Sequence, residues 1–215
     1  MLSNPQSQAA EAYRSLRVNL HYATLDDPLK ALVVALPAVE KGGAKDTEVA
    51  INLAVAMAQA GRRVALVDAD LRHPHLHEIF DVDVAPGLAK AILNLETDAP
   101  SLPLVNVGVD GLRLLPSGHP PPNPTDILSS QKMTALLHHL TEAADVTILK
   151  APPVLLAADT PALAARTDGL LLVARSGHTR RDRLAAAKEK LEQFEVHLLG
   201  AILTDAPKSG RLSIY

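Results

Sequence analysis

The chain has 215 residues, 47% of them hydrophobic, which is enough to bury a substantial core. A net charge of −3 gives no electrostatic footprint for nucleic acid, and 2% aromatic residues without Trp leave no stacking platform for single strands. The lack of cysteine excludes disulfides and thiolate metal sites. Met1-Leu2-Ser3-Asn4-Pro5 lacks the basic-then-apolar pattern of a signal peptide, and no apolar run reaches the roughly 18 residues of a membrane span. A cytoplasmic protein of one domain, residues 1–215, is the expectation.

In chain order, residues 8–23 predict an N-terminal helix. Apolar strand-like runs follow at Ala31 to Leu36, Arg63 to Val67, Leu112 to Leu115, Val146 to Leu149, Gly169 to Ala174 and Leu198 to Leu203. Helical spacing of Leu, Ala and charged residues marks Glu48 to Ala60, Met133 to Ala143, Leu155 to Ala165 and Arg181 to Phe194. Pro116 to Pro124, with five prolines, predicts an extended loop. Runs that are apolar on both faces belong to strands covered on both sides. Alternating β and α elements then give an α/β fold, a doubly wound and mostly parallel sheet with helices on both faces. In such sheets ligands sit at the carboxyl ends of strands, where each motif below falls.

After the first strand come Glu40-Lys41-Gly42-Gly43-Ala44-Lys45-Asp46-Thr47-Glu48 and then Val49-Ala50-Ile51-Asn52-Leu53-Ala54. This resembles the deviant phosphate-binding loop K-G-G-x-G-K-[ST]-T of the bacterial partitioning and division-site ATPases, with its following A-x-N-L-A helix. Lys41, Gly42, Gly43, Thr47 and Asn52 keep register, but Lys45 stands for a glycine, Asp46 for the central lysine and Glu48 for a hydroxyl. Such a loop works through glycine-permitted amides converging on phosphate at a helix N-terminus, backed by a lysine. Carboxylates there oppose a triphosphate, and the plainer reading is an acidic helix start that suits the macrodipole. A shifted register, with Lys45 as the phosphate lysine and Ala44 for the glycine, breaks the spacing to Asn52.

Val64-Ala65-Leu66-Val67-Asp68-Ala69-Asp70-Leu71-Arg72 reads as a buried strand ending in two carboxylates. Asp68 and Asp70 could hold Mg²⁺ through water or accept a hydroxyl proton, or one could cap the next helix. His73, His75 and His77 alternate, but Pro74 and His77 already fit the motif below, so no metal is expected.

Glu11-Ala12-Tyr13-Arg14-Ser15-Leu16-Arg17 is similar to the E-x-x-R-x-x-R motif of bacterial tyrosine kinases. Residues 61–74 with His77 and Phe80 resemble their second nucleotide motif. Leu114-Leu115-Pro116-Ser117-Gly118 and Pro122-Asn123-Pro124-Thr125-Asp126-Ile127-Leu128 resemble their L-P-S-G and P-N-P-x-E-L-L segments. Ala151-Pro152-Pro153, Asp159 and Asp168-Gly169 match the stretch after the third motif, so the resemblance spans about residues 8–206. It implies an autokinase of capsule and exopolysaccharide production, with ATP and Mg²⁺ as cofactors and a membrane polysaccharide co-polymerase as activating partner. It also implies that Glu11, Arg14 and Arg17 lie at the subunit interface of a ring-shaped oligomer, and that Asp68 and Asp70 are the metal and base carboxylates.

Against that pattern, Lys150 stands where the third-motif aspartate belongs, Thr204 where relatives carry an asparagine near the nucleobase, and Tyr215 is all that remains of the C-terminal tyrosine cluster. With Asp46 and Glu48, these departures all concern one activity. The expectation is a pseudoenzyme: no cofactor, no nucleic acid, and a scaffold or regulatory role in homo-oligomers or in hetero-oligomers with active homologues, at the inner face of the membrane through its partner. Asp46 for lysine and Lys150 for aspartate read as an exchanged charge pair, with Lys150 expected against Asp46, Glu48, Asp68 or Asp70. An active autokinase and a partitioning-type ATPase relative are the alternatives.

Overall fold

The computed structural model describes residues 6–40, 45–95 and 102–206. The strands are β1 (Ala31–Ala35), β2 (Val64–Asp68), β3 (Val105–Asn106), β4 (Leu112–Leu115), β5 (Val146–Lys150), β6 (Gly169–Arg175) and β7 (Leu198–Thr204). The helices are α1 (Gln8–Ala23), α2 (Lys45–Ala58), α3 (Leu76–Ile79), α4 (Leu88–Leu93), α5 (Pro124–Leu128), α6 (Gln131–Ala143), α7 (Asp159–Ala164) and α8 (Arg181–Gln193).

One seven-stranded sheet runs β3-β4-β2-β5-β1-β6-β7, parallel throughout except for the antiparallel β3–β4 pair. Strand alternation splits the core into two layers. On β1, Ala31, Val33 and Ala35 face the layer built with α4, α6, α7 and α8. Leu32 and Val34 face the layer built with α1 and α2. The same parity on β5 sends Val146 and Ile148 to the α2 side and Leu149 to the other. Lys150 shares parity with Val146 and Ile148, so its side chain leaves the strand toward α2.

The N-terminal helix starts where a serine can cap it: Ser7 Oγ accepts from the amide of Ala10 at 3.1 Å, with Glu11 in the first turn. Ala10 and Leu20 are buried, and the helix packs on α2. The proline-rich stretch is less extended than its sequence predicts, because Pro124 opens α5 at a first-turn position that needs no N–H donor. The preceding Leu114-Leu115-Pro116-Ser117-Gly118 is held by backbone: Leu88 N donates to Pro116 O at 2.7 Å and Ala89 N to Ser117 O at 2.9 Å. Gly87 lies so close to this loop that a Cβ there would meet Gly118 N at 2.1 Å, and Gly118 itself has φ +80°. The helix read at Leu155 to Ala165 is shorter, since 155–158 turn back on Pro37 and Pro153 before α7 begins at Asp159. Among the described residues, no helix is long and apolar enough to cross a membrane.

Candidate functional site: a charge cluster at the carboxyl edge

Strands β2, β5 and β1 lie side by side, and the first turn of α2 covers their carboxyl ends on one face. Asp68 and Lys150 are opposite each other at the last rung of the β2–β5 ladder. Asp46, Asp68, Asp70 and Lys150 are 1%, 0%, 3% and 3% exposed, so four ionisable side chains share a space with almost no water. Lys150 Nζ donates to Asp70 Oδ2 at 2.7 Å, and Asp46 Oδ2 lies 3.9 Å from the same ammonium.

Each carboxylate is engaged differently. Asp68 Oδ2 accepts the amides of His75 at 3.0 Å and Leu76 at 2.9 Å, so it caps α3 from across the loop, where His75 makes no side-chain cap. Asp70 Oδ1 accepts the amide of His73 at 3.0 Å, leaving Oδ2 for the lysine. Asp46 Oδ1 and Thr47 Oγ1, at the start of α2, are shielded from solvent with no hydrogen-bond partner among the described residues.

Burial pushes the carboxyl of Asp46 above its usual range, against the pull of Lys150 and of the amides of Thr47 and Asp46. Burial likewise raises Asp68, partly offset by the amide of Leu76, then by Lys150 and the amide of His75. For Lys150, burial acts to lower the ammonium's value, but Asp46, Asp70 and Asp68 together outweigh it and the net shift is upward. The ammonium therefore stays charged, as a cation fixed among three carboxylates.

Other residues singled out from the sequence are placed as follows. Lys45 turns away from the cluster, 2.7 Å from Glu48 and 3.4 Å from Asp205. Glu48 is thereby occupied on the outer side of α2. Thr204 Oγ1 donates to Ala174 O at 3.4 Å, beside Arg175, whose Nε donates to Asp205 Oδ2 at 2.6 Å. Arg14 pairs with Glu11 at 2.8 Å on the outer part of α1, while Arg17 Nε is shielded with no hydrogen-bond partner among the described residues. Lys41, Gly42, Gly43 and Tyr215 lie outside the described residues.

A clamp beside the cluster has no local sequence signal. Arg72 grips Asp159 through Nε at 2.7 Å and Nη2 at 3.1 Å. Thr125 Oγ1 accepts from Arg72 at 3.2 Å and donates to Asp159. Three segments, after β2, at α5 and at α7, are thus tied by one bidentate pair. Separations of 87 and 34 residues hide it from any motif, although Arg72, Thr125 and Asp159 each sit in a conspicuous segment.

The arrangement is chemically specific. A metal between Asp68 and Asp70 needs free carboxylate oxygens, whereas these carry backbone amides and an ammonium. An anion at the N-terminus of α2 would meet the Asp46 carboxylate at that position.

The sequence profile of the CobQ/CobB/MinD/ParA nucleotide binding domain (CbiA) matches residues 38–212. The chain is 37% identical over 202 residues to the tyrosine-protein kinase YwqD of Bacillus subtilis (strain 168), covering 94% of this chain and 83% of that protein. It is 32% identical over 208 residues to the tyrosine-protein kinase ptk of Acinetobacter johnsonii, covering 97% of this chain but 28% of that longer protein. The crystal structure of the chimerical protein CapA2B2 superposes with a TM-score of 0.86 at 31% identity, covering 95% of this chain and 88% of the other. Fold, profile and sequence identity agree, and the chain belongs to the bacterial tyrosine kinase family within the CobQ/CobB/MinD/ParA class of nucleotide-binding domains.

Proposed function

We propose that this chain is a kinase-family scaffold or regulator of capsule or exopolysaccharide assembly, with its nucleotide site filled by its own side chains. The observation that carries the reading is the 2.7 Å bond from Lys150 to Asp70, with Asp46 at 3.9 Å, among groups almost closed to water. The ammonium takes the place of a metal cation, and Asp46 takes the place of an anion at a helix N-terminus. Mg²⁺ and ATP do not fit this donor set, so no phosphoryl-transfer step is assigned to these residues. Glu11 and Arg14 would serve assembly into homo-oligomers or mixed rings with active homologues, and a membrane co-polymerase would be the docking partner.

Incubation with MgATP and detection of phosphotyrosine tests the reading. No signal is expected on the chain alone or on added substrate. Phosphate appearing on a tyrosine would instead establish the alternative, an active autokinase with a rearranged loop.

A further inference from the structure

At the opposite, amino edge of the sheet is a cavity of about 410 Å³, within the roughly 300–1,000 Å³ typical of small-molecule sites. Val146 marks its floor at the start of β5, four residues and roughly 13 Å from Lys150 along the strand. The cavity opens between the end of α1, the end of α2 and the segment leading into β1.

Its lining divides cleanly by chemistry. Leu20, Leu29 and Met57 join Val146 as apolar wall, and Leu25, 54% exposed, extends that wall to the mouth. The charged part is cationic: Arg17 and Arg62 line the cavity beside His21 and Thr24, and among the lining residues there is no carboxylate. In a chain of net charge −3, that is a local reversal of sign. Arg17 Nε adds an independent observation, since it is shielded from solvent yet has no hydrogen-bond partner among the described residues. A buried donor without an acceptor is costly, and a bound anion would satisfy it.

We propose that this cavity binds a small amphiphilic anion, an aliphatic chain carrying a carboxylate or phosphate, with Arg17 and Arg62 holding the head group and the leucines and Met57 holding the chain. Arg17 is then a binding residue in its own protomer. The site is independent of the cluster at the carboxyl edge and stands whether or not that cluster binds nucleotide.

The chain contains no Trp, so displacement of the fluorescent fatty acid cis-parinarate reads binding without protein background. Below their micellar limits, decanoate and decyl phosphate should displace it saturably, while decanol should be at least tenfold weaker and decyltrimethylammonium inactive. Arg17→Gln should weaken decanoate at least tenfold and leave decanol unchanged. Ala60→Phe, which fills the cavity from its exposed rim, should weaken both probes without lowering the melting temperature. Vesicles containing phosphatidic acid, compared with phosphatidylcholine alone, separate a lipid head group from a free acid as the source: sedimentation with the former only, lost in Arg17→Gln, supports the lipid source. Saturable decanoate binding without sedimentation supports the free acid. Equal affinity for decanol and decanoate, no saturable displacement by any probe, or an Arg17→Gln variant altered only in oligomer mass would each overturn the proposal.

Discussion

Asp68 and Lys150 are direct partners on the last rung between β2 and β5, yet the lysine bonds Asp70 two residues further on. The reason lies in what Asp68 already does. Its Oδ2 receives two amides from the start of α3 and its Oδ1 the amide of Asp70 at 3.3 Å, whereas Asp70 keeps Oδ2 free of backbone amides. The lysine therefore bridges from the strand end to the turn beyond it and toward α2, and the pocket closes around a cation that belongs to the chain.

Removing that cation should expose its role. Lys150→Met leaves three clustered carboxylates without their counter-charge, a change expected to cost about 3–5 kcal/mol near neutral pH. Burial raises Asp46 and Asp68, so the folded state holds protons that the unfolded state releases, and their contribution to stability falls as pH rises from near 3.8 through the raised values. Without Lys150 those values rise further. Urea denaturation should then show a larger deficit for Lys150→Met at pH 8 than at pH 5. An equal deficit at both would mean that lost packing, not charge, dominates.

Lys150 itself is shifted upward, so the stability it brings is complete below its ordinary value of 10.5 and is lost as pH rises through the folded value. The wild-type protein should accordingly lose more stability on alkaline titration above that point than Lys150→Met does. Parallel thermal melts across the alkaline range measure this.

The Arg72–Asp159 clamp behaves with the opposite sign. Burial acts to raise Asp159, but the bonds from Arg72 and Thr125 outweigh it and hold it below the usual range. Its stabilisation is present above 3.8 and is lost as pH falls through the lowered value. Asp159→Asn should cost about 2 kcal/mol at pH 7, a figure reduced because Arg72 is 36% exposed. The variant's stability should also fall less steeply below pH 4 than that of the wild type, as read by circular dichroism.

Gly87→Ala tests a contact made only of backbone. Its Cβ would stand 2.1 Å from Gly118 N, with no flexible side chain to give way. A loss of about 1–3 kcal/mol is expected, seen as a lower urea midpoint. A wild-type midpoint would mean that the loop from Pro116 to Gly118 does not lie against α4.

Much of the sheet was readable from the sequence because its central strands β1, β2 and β5 are buried on both faces. Leu112–Leu115 and Val146 onward needed only their apolar runs and breakers. The two-residue β3 was not readable, since Val105-Asn106 has neither length nor alternation and pairs only through β4. The short helices α3, α4 and α5 also escaped: four to six residues cannot display a helical period, and tertiary bonds fix their starts. In the site, the sequence placed the opposite charges of Asp46 and Lys150 at neighbouring strand ends, and they lie 3.9 Å apart. That Asp70 would be the nearer partner was not legible, because it depends on the amides from α3 that occupy Asp68. The Arg72–Asp159–Thr125 clamp depends wholly on tertiary folding.

Assembly through α1 can be weighed by mass. Arg14→Ala removes the partner of Glu11 on the exposed part of the helix, an intrahelical pair worth only tenths of a kcal/mol. The variant should keep its melting temperature yet lose oligomers in sedimentation. Unchanged oligomers would remove α1 from the interface.

The most direct measurement is calorimetric titration of MgATP into the wild-type protein, alongside its melting temperature with and without nucleotide. A site filled by Lys150 and Asp46 predicts no saturable heat and no thermal shift at millimolar nucleotide. A ligand at a hundred times its dissociation constant stabilises by about 2.7 kcal/mol, a shift that could not be missed. Saturable Mg²⁺-dependent binding with such a shift would contradict the internal occupation of the site.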